Sequence, residues 1–121
     1  MKVLLVDDER ELVSALAERL SFRGIRADFA VSGEEALKIA RRKTFDVAVL
    51  DVKMPKIGGF ELKKRLASIQ PGLEYIFLTG HGSEEDFKAS CSVGCRYLVK
   101  PVMIEELVEA INSTKSDRGE S

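Results

Sequence analysis

Short apolar runs alternate along this chain with longer segments in which apolar residues recur at helical spacing. An apolar run without polar alternation suits a strand that is covered on both faces, and a segment with one apolar stripe suits a helix. The predicted strands cover residues 3–6, 25–31, 47–50, 75–78 and 97–99. The predicted helices cover residues 9–22, 33–42, 59–68, 84–93 and 103–112.

Two of the helix starts carry a sequence signal of their own. Asp8-Glu9-Arg10-Glu11 and Ser32-Gly33-Glu34-Glu35 both resemble capping boxes, with Asp8 and Ser32 as the N-cap residues. The strand at 25–31 differs from the others because its apolar and polar residues alternate. That alternation indicates a less covered face, so we place this strand at the edge of a sheet.

Five strands that alternate with five helices predict an α/β fold. Such a chain forms a parallel sheet with helices on both faces and right-handed crossovers, which is a three-layer sandwich. Of the two common strand orders, we expect 2-1-3-4-5, the flavodoxin-like order. In this order the first, third, fourth and fifth strands are consecutive neighbours.

Polar residues follow the carboxyl ends of these four neighbouring strands. They are Asp7 and Asp8 after the first strand, Asp51 after the third, Thr79 after the fourth and Lys100 after the fifth. Ligands of open parallel sheets bind outside the carboxyl ends of the strands, at the point where the strand order reverses. Three carboxylates, a hydroxyl and an ammonium are therefore expected in one crevice.

This set of groups suits a particular chemistry. Three carboxylates within a few Å repel one another unless a cation joins them, and oxygen ligands without His or Cys suit a hard ion such as Mg²⁺. An Asp carboxylate is also a competent nucleophile towards phosphorus. Phosphoryl transfer needs mainly positioning and charge neutralisation, which Mg²⁺ and Lys100 could supply around Asp51.

Composition limits the class of protein. The chain has 121 residues, 45% of them apolar and 32% charged, with a net charge of −1, which suits one domain without a basic surface for nucleic acid. We expect a domain at residues 1–113 and a polar tail or linker start at 114–121. The apolar run at the amino terminus is too short for a signal peptide, so we expect a cytoplasmic protein with reduced thiols at Cys91 and Cys95.

Four motifs in this order and spacing resemble the receiver domain of a two-component response regulator. They are LLVDDE, VLDVKMP followed by Gly58-Gly59, LTGHG, and YLVKP. Each motif alone is weak, but the four together are specific, and the resemblance covers residues 2–112. It implies a switch that accepts a phosphoryl group and catalyses only its own phosphorylation and dephosphorylation.

The resemblance assigns a role to each residue of the acidic group. It implies that Asp51 is the phosphoacceptor and that Asp8 binds Mg²⁺ directly, while Asp7 acts largely through water. The backbone carbonyl of Lys53 is the implied third ligand. Lys53 and His81 also occupy the family positions that tune the rates of phosphorylation and hydrolysis.

The remaining implied roles belong to the neighbouring strands. Thr79 matches the switch hydroxyl, Tyr97 the aromatic switch residue and Lys100 the lysine that contacts phosphate. The Lys100–Pro101 peptide bond is expected to be cis. Considered without the resemblance, Asp8 is equally well explained as a helix cap and Tyr97 as a core residue.

The resemblance also implies partners. A sensor histidine kinase or phosphotransfer protein would supply the phosphoryl group. An effector domain or partner would bind the face made by the fourth helix, the fifth strand and the fifth helix, and a homodimer could form on phosphorylation. No direct contact with nucleic acid or a membrane is expected.

Three other classes of function share this fold or this chemistry. A flavodoxin-like electron carrier needs a phosphate-binding loop after the first strand, where the acidic Asp7-Asp8-Glu9 would repel a flavin phosphate. An aspartate-nucleophile phosphatase usually has a second Asp two residues after the nucleophile, where this chain has Lys53. An adapter that works without phosphorylation is disfavoured because the acidic, threonine and lysine set is complete.

Overall fold

The computed structural model describes residues 1–80, 85, 87 and 96–117. The sequence forms strands where its apolar runs predict them. The strands are β1 (Lys2–Val6), β2 (Arg26–Ala30), β3 (Val47–Asp51), β4 (Glu74–Thr79) and β5 (Tyr97–Val99). All five residues of β3 are buried, as expected for a central strand without polar alternation.

The five strands form one parallel sheet in the order β2-β1-β3-β4-β5. This confirms the flavodoxin-like order, with the alternating strand β2 at one edge. In the register, Val6 of β1 lies between Ala30 of β2 and Leu50 of β3. The ends of the central strands are therefore level, and the residues after them meet at one edge of the sheet.

Four helices lie within the described residues: α1 (Arg10–Ser21), α2 (Gly33–Ala40), α3 (Gly59–Ile69) and, at the carboxyl end, α4 (Ile104–Asp117). The expected helix at 84–93 falls in the part of the chain that is largely outside the described residues. Cys91 and Cys95 are also outside them, as are His81 and positions 118–121. None of the described helices has the length and apolar character needed to cross a membrane.

Two apolar clusters pack on opposite faces of the sheet, because successive side chains of a strand point to opposite sides. Leu50 and Ala48 belong to the cluster that contains Leu37 of α2 and Leu62 of α3. The opposite cluster combines alternate residues of the same strands with α1 and α4, through residues such as Val49, Leu16 and Leu107. The sheet is thus covered on both faces, and the polar residues lie at the uncovered carboxyl ends of its strands.

The two predicted capping boxes have different outcomes. Ser32 caps α2 as predicted, since its side chain accepts a hydrogen bond from the Glu35 N–H at 3.1 Å. The prediction of Asp8 as the N-cap of α1 is wrong: the N-cap is Glu9, which makes no side-chain cap hydrogen bond. The Asp7 carboxylate instead accepts the Glu9 N–H at 2.9 Å, so the chain turns before the helix begins.

The last helix is longer than its apolar pattern predicts. It continues to Asp117, whereas the sequence indicated an end near Asn112. Thr114 is fully buried, and its hydroxyl donates to the Ile111 carbonyl at 2.7 Å. Because a polar residue can be buried when its hydroxyl bonds to the preceding turn, apolar spacing alone placed the helix end too early.

Candidate functional site

The polar residues predicted at the strand ends lie at the same edge of the sheet. Asp51 is the last residue of β3 and is 5% exposed, while Asp7 directly follows β1 and is 1% exposed. Thr79 ends β4 and is also buried. Burial at the end of a rigid strand fixes these groups in position before any ligand arrives.

Three carboxylates form a cluster that opens to solvent on one side. One oxygen from each of Asp7, Asp8 and Asp51 lies within 4.8 Å of the other two. Asp7 and Asp51 are buried, and Asp8 is exposed at the mouth. The displacement of the helix cap from Asp8 to Glu9 leaves the Asp8 side chain available to this cluster.

Lys100 supplies the positive charge of the crevice. Its Nζ lies 2.8 Å from Asp7 Oδ2, 3.1 Å from Glu9 Oε1 and 3.4 Å from Asp51 Oδ2. Burial lowers the pKa of the Lys100 ammonium, but the carboxylates around it, led by Asp7 and Glu9, outweigh this effect and raise the pKa overall. Lys100 is therefore a permanent cation at neutral pH.

The Asp51 carboxyl is the group whose ionisation the crevice disfavours. Burial, followed by repulsion from Asp7, raises the pKa of Asp51 to about 6, although Lys100 and the Lys53 backbone N–H act in the opposite direction. At neutral pH the carboxylate is still mostly ionised and carries charge that its surroundings do not fully balance. Such a carboxylate favours a bound cation and is a poised nucleophile.

The donor set fits a hard divalent cation. Asp7 Oδ2 is buried and accepts no hydrogen bond from the described residues. Its partner is the Lys100 ammonium, which lies 2.8 Å away in an ion pair. Carboxylate oxygens are among the ligands that Mg²⁺ prefers, and Asp7, Asp8 and Asp51 could hold this ion.

The loop after β3 fits closely beneath Asp51. A Cβ atom at Gly59 would lie 2.7 Å from the Asp51 carbonyl oxygen, so only glycine permits this approach. The Gly59 N–H donates to the Val52 carbonyl at 3.0 Å, which ties the start of α3 to the end of β3. Lys53, also in this loop, is exposed.

The fourth and fifth strands place the remaining predicted residues. The Lys100 N–H donates to the Thr79 carbonyl at 2.8 Å, which holds the two strand ends together. The Lys100–Pro101 peptide bond is cis, as the resemblance implied. Tyr97 begins β5 and is half-buried, and its ring centroid lies 4.8 Å from that of Phe87.

One residue of the site was missed by the sequence analysis. Glu9 was interpreted as part of a capping box and of the acidic segment after the first strand, but not as a contact of Lys100, whose Nζ donates a hydrogen bond to the Glu9 carboxylate. The signal available was its place directly after Asp7 and Asp8, which made it a third acidic residue at the same strand end. His81 lies outside the described residues, so its predicted place in the site stays a prediction.

Comparison with known proteins identifies the family of this chain. The sequence model described as the response regulator receiver domain matches residues 3–112. The response regulator MprA of Mycobacterium leprae is 37% identical over 114 residues, which cover 93% of this chain and 50% of MprA. The transcriptional regulatory protein GlrR of Escherichia coli K12 is 36% identical over 111 residues, which cover 91% of this chain and 25% of GlrR.

Solved structures agree with the sequence comparison. The crystal structure of a response regulator receiver domain protein from Clostridium thermocellum matches with a TM-score of 0.86 at 31% identity, over 98% of this chain and 96% of that one. The chain spans about a quarter of the length of GlrR and about half of the length of MprA. The chain belongs to the response regulator receiver domain family, which supports phosphorylation-dependent signalling in two-component systems.

Proposed function

We propose that this chain is a signalling switch that accepts a phosphoryl group from a histidine kinase onto Asp51, with Mg²⁺ as cofactor. The observation that carries the proposal is the position of Asp51. Its carboxylate ends the central buried strand, within 4.8 Å of carboxylate oxygens of Asp7 and Asp8 and 3.4 Å from the Lys100 ammonium. A nucleophile between an acidic cluster and a cation suits phosphoryl transfer.

In the proposed transfer, an Asp51 carboxylate oxygen attacks the phosphorus of a phosphohistidine on the kinase. A phosphorus–oxygen bond to Asp51 forms as the phosphorus–nitrogen bond breaks, and the imidazole leaves with the electron pair and takes up a proton. Burial supports this role because it keeps the carboxylate poorly solvated. The position of Asp51 at the end of a rigid strand also supports it, because the strand fixes the direction of the carboxylate. The product is an aspartyl phosphate.

The proposed metal ligands are the Asp8 carboxylate, the Asp51 carboxylate and the Lys53 backbone carbonyl, with Asp7 acting largely through water. Bound Mg²⁺ would neutralise charge on the phosphoryl oxygens. Asp7 is nearly fully buried, whereas Asp8 is exposed at the mouth, which supports Asp8 as the direct ligand. The three carboxylates of Asp7, Asp8 and Asp51 outnumber the Lys100 ammonium beside them, and this excess of negative charge supports the need for a further cation.

Thr79 at the end of β4 and Lys100 directly after β5 would contact the phosphoryl group. Lys100 already lies beside the Asp51 carboxylate, so a short movement of its side chain would bring the ammonium to a phosphoryl oxygen. The Thr79 hydroxyl would donate to a second oxygen, and Tyr97 would turn inward behind it. Phosphorylation can shift this equilibrium only by interacting differently with the two states, so the active form should already exist as a minor population.

The proposed readout is a change of the face formed by β5, the last helix and the helix predicted at 84–93. Tyr97 lies in β5, so its rotation would alter this face directly. The proposed partner on this face is an effector domain or a separate protein, or a second copy of the chain after phosphorylation. Lys53 and His81 would set the lifetime of the phosphoryl group.

The test is phosphorylation by acetyl phosphate in the presence of Mg²⁺, followed by intact mass measurement. The wild type should gain the mass of a phosphoryl group, and Asp51→Asn should not. Asp46→Asn is the matched control, because Asp46 directly precedes the opposite end of the same strand. Labelling that persists in Asp51→Asn would contradict the assignment.

A further inference from the structure

Glu9 makes a contact that the proposed chemistry does not require. Its Oε1 accepts a hydrogen bond from Lys100 Nζ at 3.1 Å, although 91 residues separate the two in sequence. The Glu9 side chain is 63% exposed, whereas that of Lys100 is 20% exposed. Glu9 therefore contacts the largely buried Lys100 from the outer lip of the crevice, the side that is open to solvent.

The backbone of Glu9 is fixed by the same acid that pairs with Lys100. The Glu9 N–H donates to Asp7 Oδ1 at 2.9 Å, and the Glu9 carbonyl accepts the Val13 N–H at 3.0 Å as the first turn of α1 forms. Asp7 thus orients Glu9 through one carboxylate oxygen and faces Lys100 with the other. With its backbone held in this way, Glu9 begins α1 at a point from which its carboxylate contacts the Lys100 ammonium.

Three carboxylates surround one ammonium, and Asp51 is the most distant of them at 3.4 Å. A phosphoryl group on Asp51 would need the ammonium to turn towards it. Asp7 is buried and fixed, so Glu9 is the contact that can be given up. Its carboxylate also adds negative charge at the entrance that an anionic phosphodonor must pass, and like charges repel.

We propose that Glu9 is a positioning residue that acts through Lys100: it retains the ammonium at the lip of the crevice before phosphorylation and slows transfer to Asp51. This inference rests on the proposed function of Asp51. An exposed ion pair of this kind is worth up to about a five-fold change in an equilibrium or rate. Glu9 is thus a further position that tunes the rate of phosphorylation. It follows the first strand, whereas Lys53 and His81, the rate-tuning positions proposed above, follow the third and fourth strands.

The kinetic test uses the full chain with acetyl phosphate and Mg²⁺. The Asp51 carboxylate attacks phosphorus, and acetate leaves with the electron pair of the broken phosphorus–oxygen bond. Glu9→Gln keeps the shape of the side chain and removes its charge, so its phosphorylation should be faster than that of the wild type by up to about five-fold. An equal or lower rate would overturn the proposal.

Glu11→Gln is the matched control. Glu11 carries the same charge in the first turn of the same helix and is exposed, but it is not among the carboxylates within 4 Å of Lys100 in the described part of the chain. Its rate should stay near that of the wild type. If Glu11→Gln is accelerated as much as Glu9→Gln, the effect is a general reduction of negative charge and the proposal fails.

A second readout needs neither metal nor phosphodonor. The NMR signals of the Lys100 ammonium in the metal-free protein should shift in Glu9→Gln and remain in place in Glu11→Gln, because Glu9 contacts Nζ and Glu11 is not among its described contacts. Unchanged signals in Glu9→Gln would overturn the inference while leaving Asp51 as the phosphoacceptor. Absence of labelling in the wild type would instead contradict the proposed function, and the NMR result would still report on the Glu9 contact.

Discussion

Lys100 Nζ lies 2.8 Å from Asp7 Oδ2, and this ion pair joins the end of β5 to the end of β1 across the two strands between them. Asp7 is almost completely buried, so its charge would be costly without the ammonium. The same ammonium reaches Asp51. One lysine therefore pairs with two buried carboxylates, and the negative charge that remains is available to a metal ion.

Replacement of this lysine should destabilise the metal-free protein. Lys100→Met retains much of the apolar stem but leaves Asp7 and Asp51 without their cation, and we expect a loss of about 2 to 4 kcal/mol in the free energy of unfolding at neutral pH. Mg²⁺ should restore part of this loss because it can replace the missing positive charge. Denaturant unfolding with and without Mg²⁺ measures both effects.

The control for this substitution is Lys64→Met, at an exposed position of α3. It should change the free energy of unfolding by less than about 0.5 kcal/mol. Equal stability of Lys100→Met and Lys64→Met in the absence of Mg²⁺ would show that the ion pairs of the crevice contribute little.

The raised pKa of Asp51 predicts a pH dependence of stability. Because the pKa is about 6 in the folded protein and 3.8 in its reference state, the folded state binds the proton more tightly. Protonation of Asp51 therefore contributes to the free energy of unfolding. This contribution is fully present below pH 4 and is lost as the pH rises through 6, by up to about 3 kcal/mol. Asp51→Asn, which cannot ionise, should lack this loss.

The measurement is the difference in free energy of unfolding between the wild type and Asp51→Asn, from pH 4 to pH 7 without Mg²⁺. As the pH rises, the free energy of unfolding of Asp51→Asn should increase relative to that of the wild type. Other titrating groups are common to both proteins and largely cancel. A difference that stays constant over this range would contradict the burial argument.

Gly59 should be intolerant of a side chain. A Cβ there would lie 2.7 Å from the Asp51 carbonyl oxygen and 3.0 Å from Val52 Cα, and both are backbone atoms that cannot move aside. Gly59→Ala should cost about 1 to 3 kcal/mol and slow phosphorylation of Asp51. Gly72→Ala is the control, because its Cβ would meet no atom within 4 Å. Similar stabilities of the two variants would contradict the packing argument.

Gln70 should matter for stability and not for chemistry. Its side-chain amide donates to the carbonyls of Ala40 and Lys43, and its oxygen accepts the Phe45 N–H. Gln70→Ala leaves these three backbone groups without their partner, which should cost about 2 to 3 kcal/mol in thermal or denaturant unfolding. Its rate of phosphorylation by acetyl phosphate should remain within about two-fold of the wild type.

Ser68→Ala provides the comparison for Gln70. It removes one exposed hydrogen bond, from the Ser68 hydroxyl to the Arg65 carbonyl, and should change stability by less than about 0.5 kcal/mol. A phosphorylation defect in Gln70→Ala that exceeds its loss of stability would indicate a link between this hydrogen-bond network and the crevice.

The sequence predicted the parts of the fold that depend on local patterns. Apolar runs located all five strands, and the alternation in β2 placed it correctly at a sheet edge. The convergence of Asp7, Asp51 and Lys100 followed from strand order alone, since residues after parallel strands meet at one edge. These features depend on burial and topology, which the order of residue types encodes directly.

The features that the sequence did not predict depend on contacts between distant residues. Glu9 meets Lys100 across 91 positions, and Gln70 meets Ala40 across 30. Nothing in the local sequence indicates that the Gln70 amide reaches another loop. The cap at Glu9 was missed for a different, local reason: the carboxylate of Asp7, two positions earlier, accepts the Glu9 N–H, and no cap side chain does so.

The most direct test of the central claim is the location of the phosphoryl group in the wild-type chain. The protein is incubated with acetyl phosphate and Mg²⁺, the acyl phosphate is reduced with borohydride, and the modified peptide is identified by mass spectrometry. A buried carboxylate nucleophile at the end of β3 predicts a single modified residue, Asp51. Modification at Asp7, Asp8 or any other residue, with Asp51 unmodified, would contradict the account.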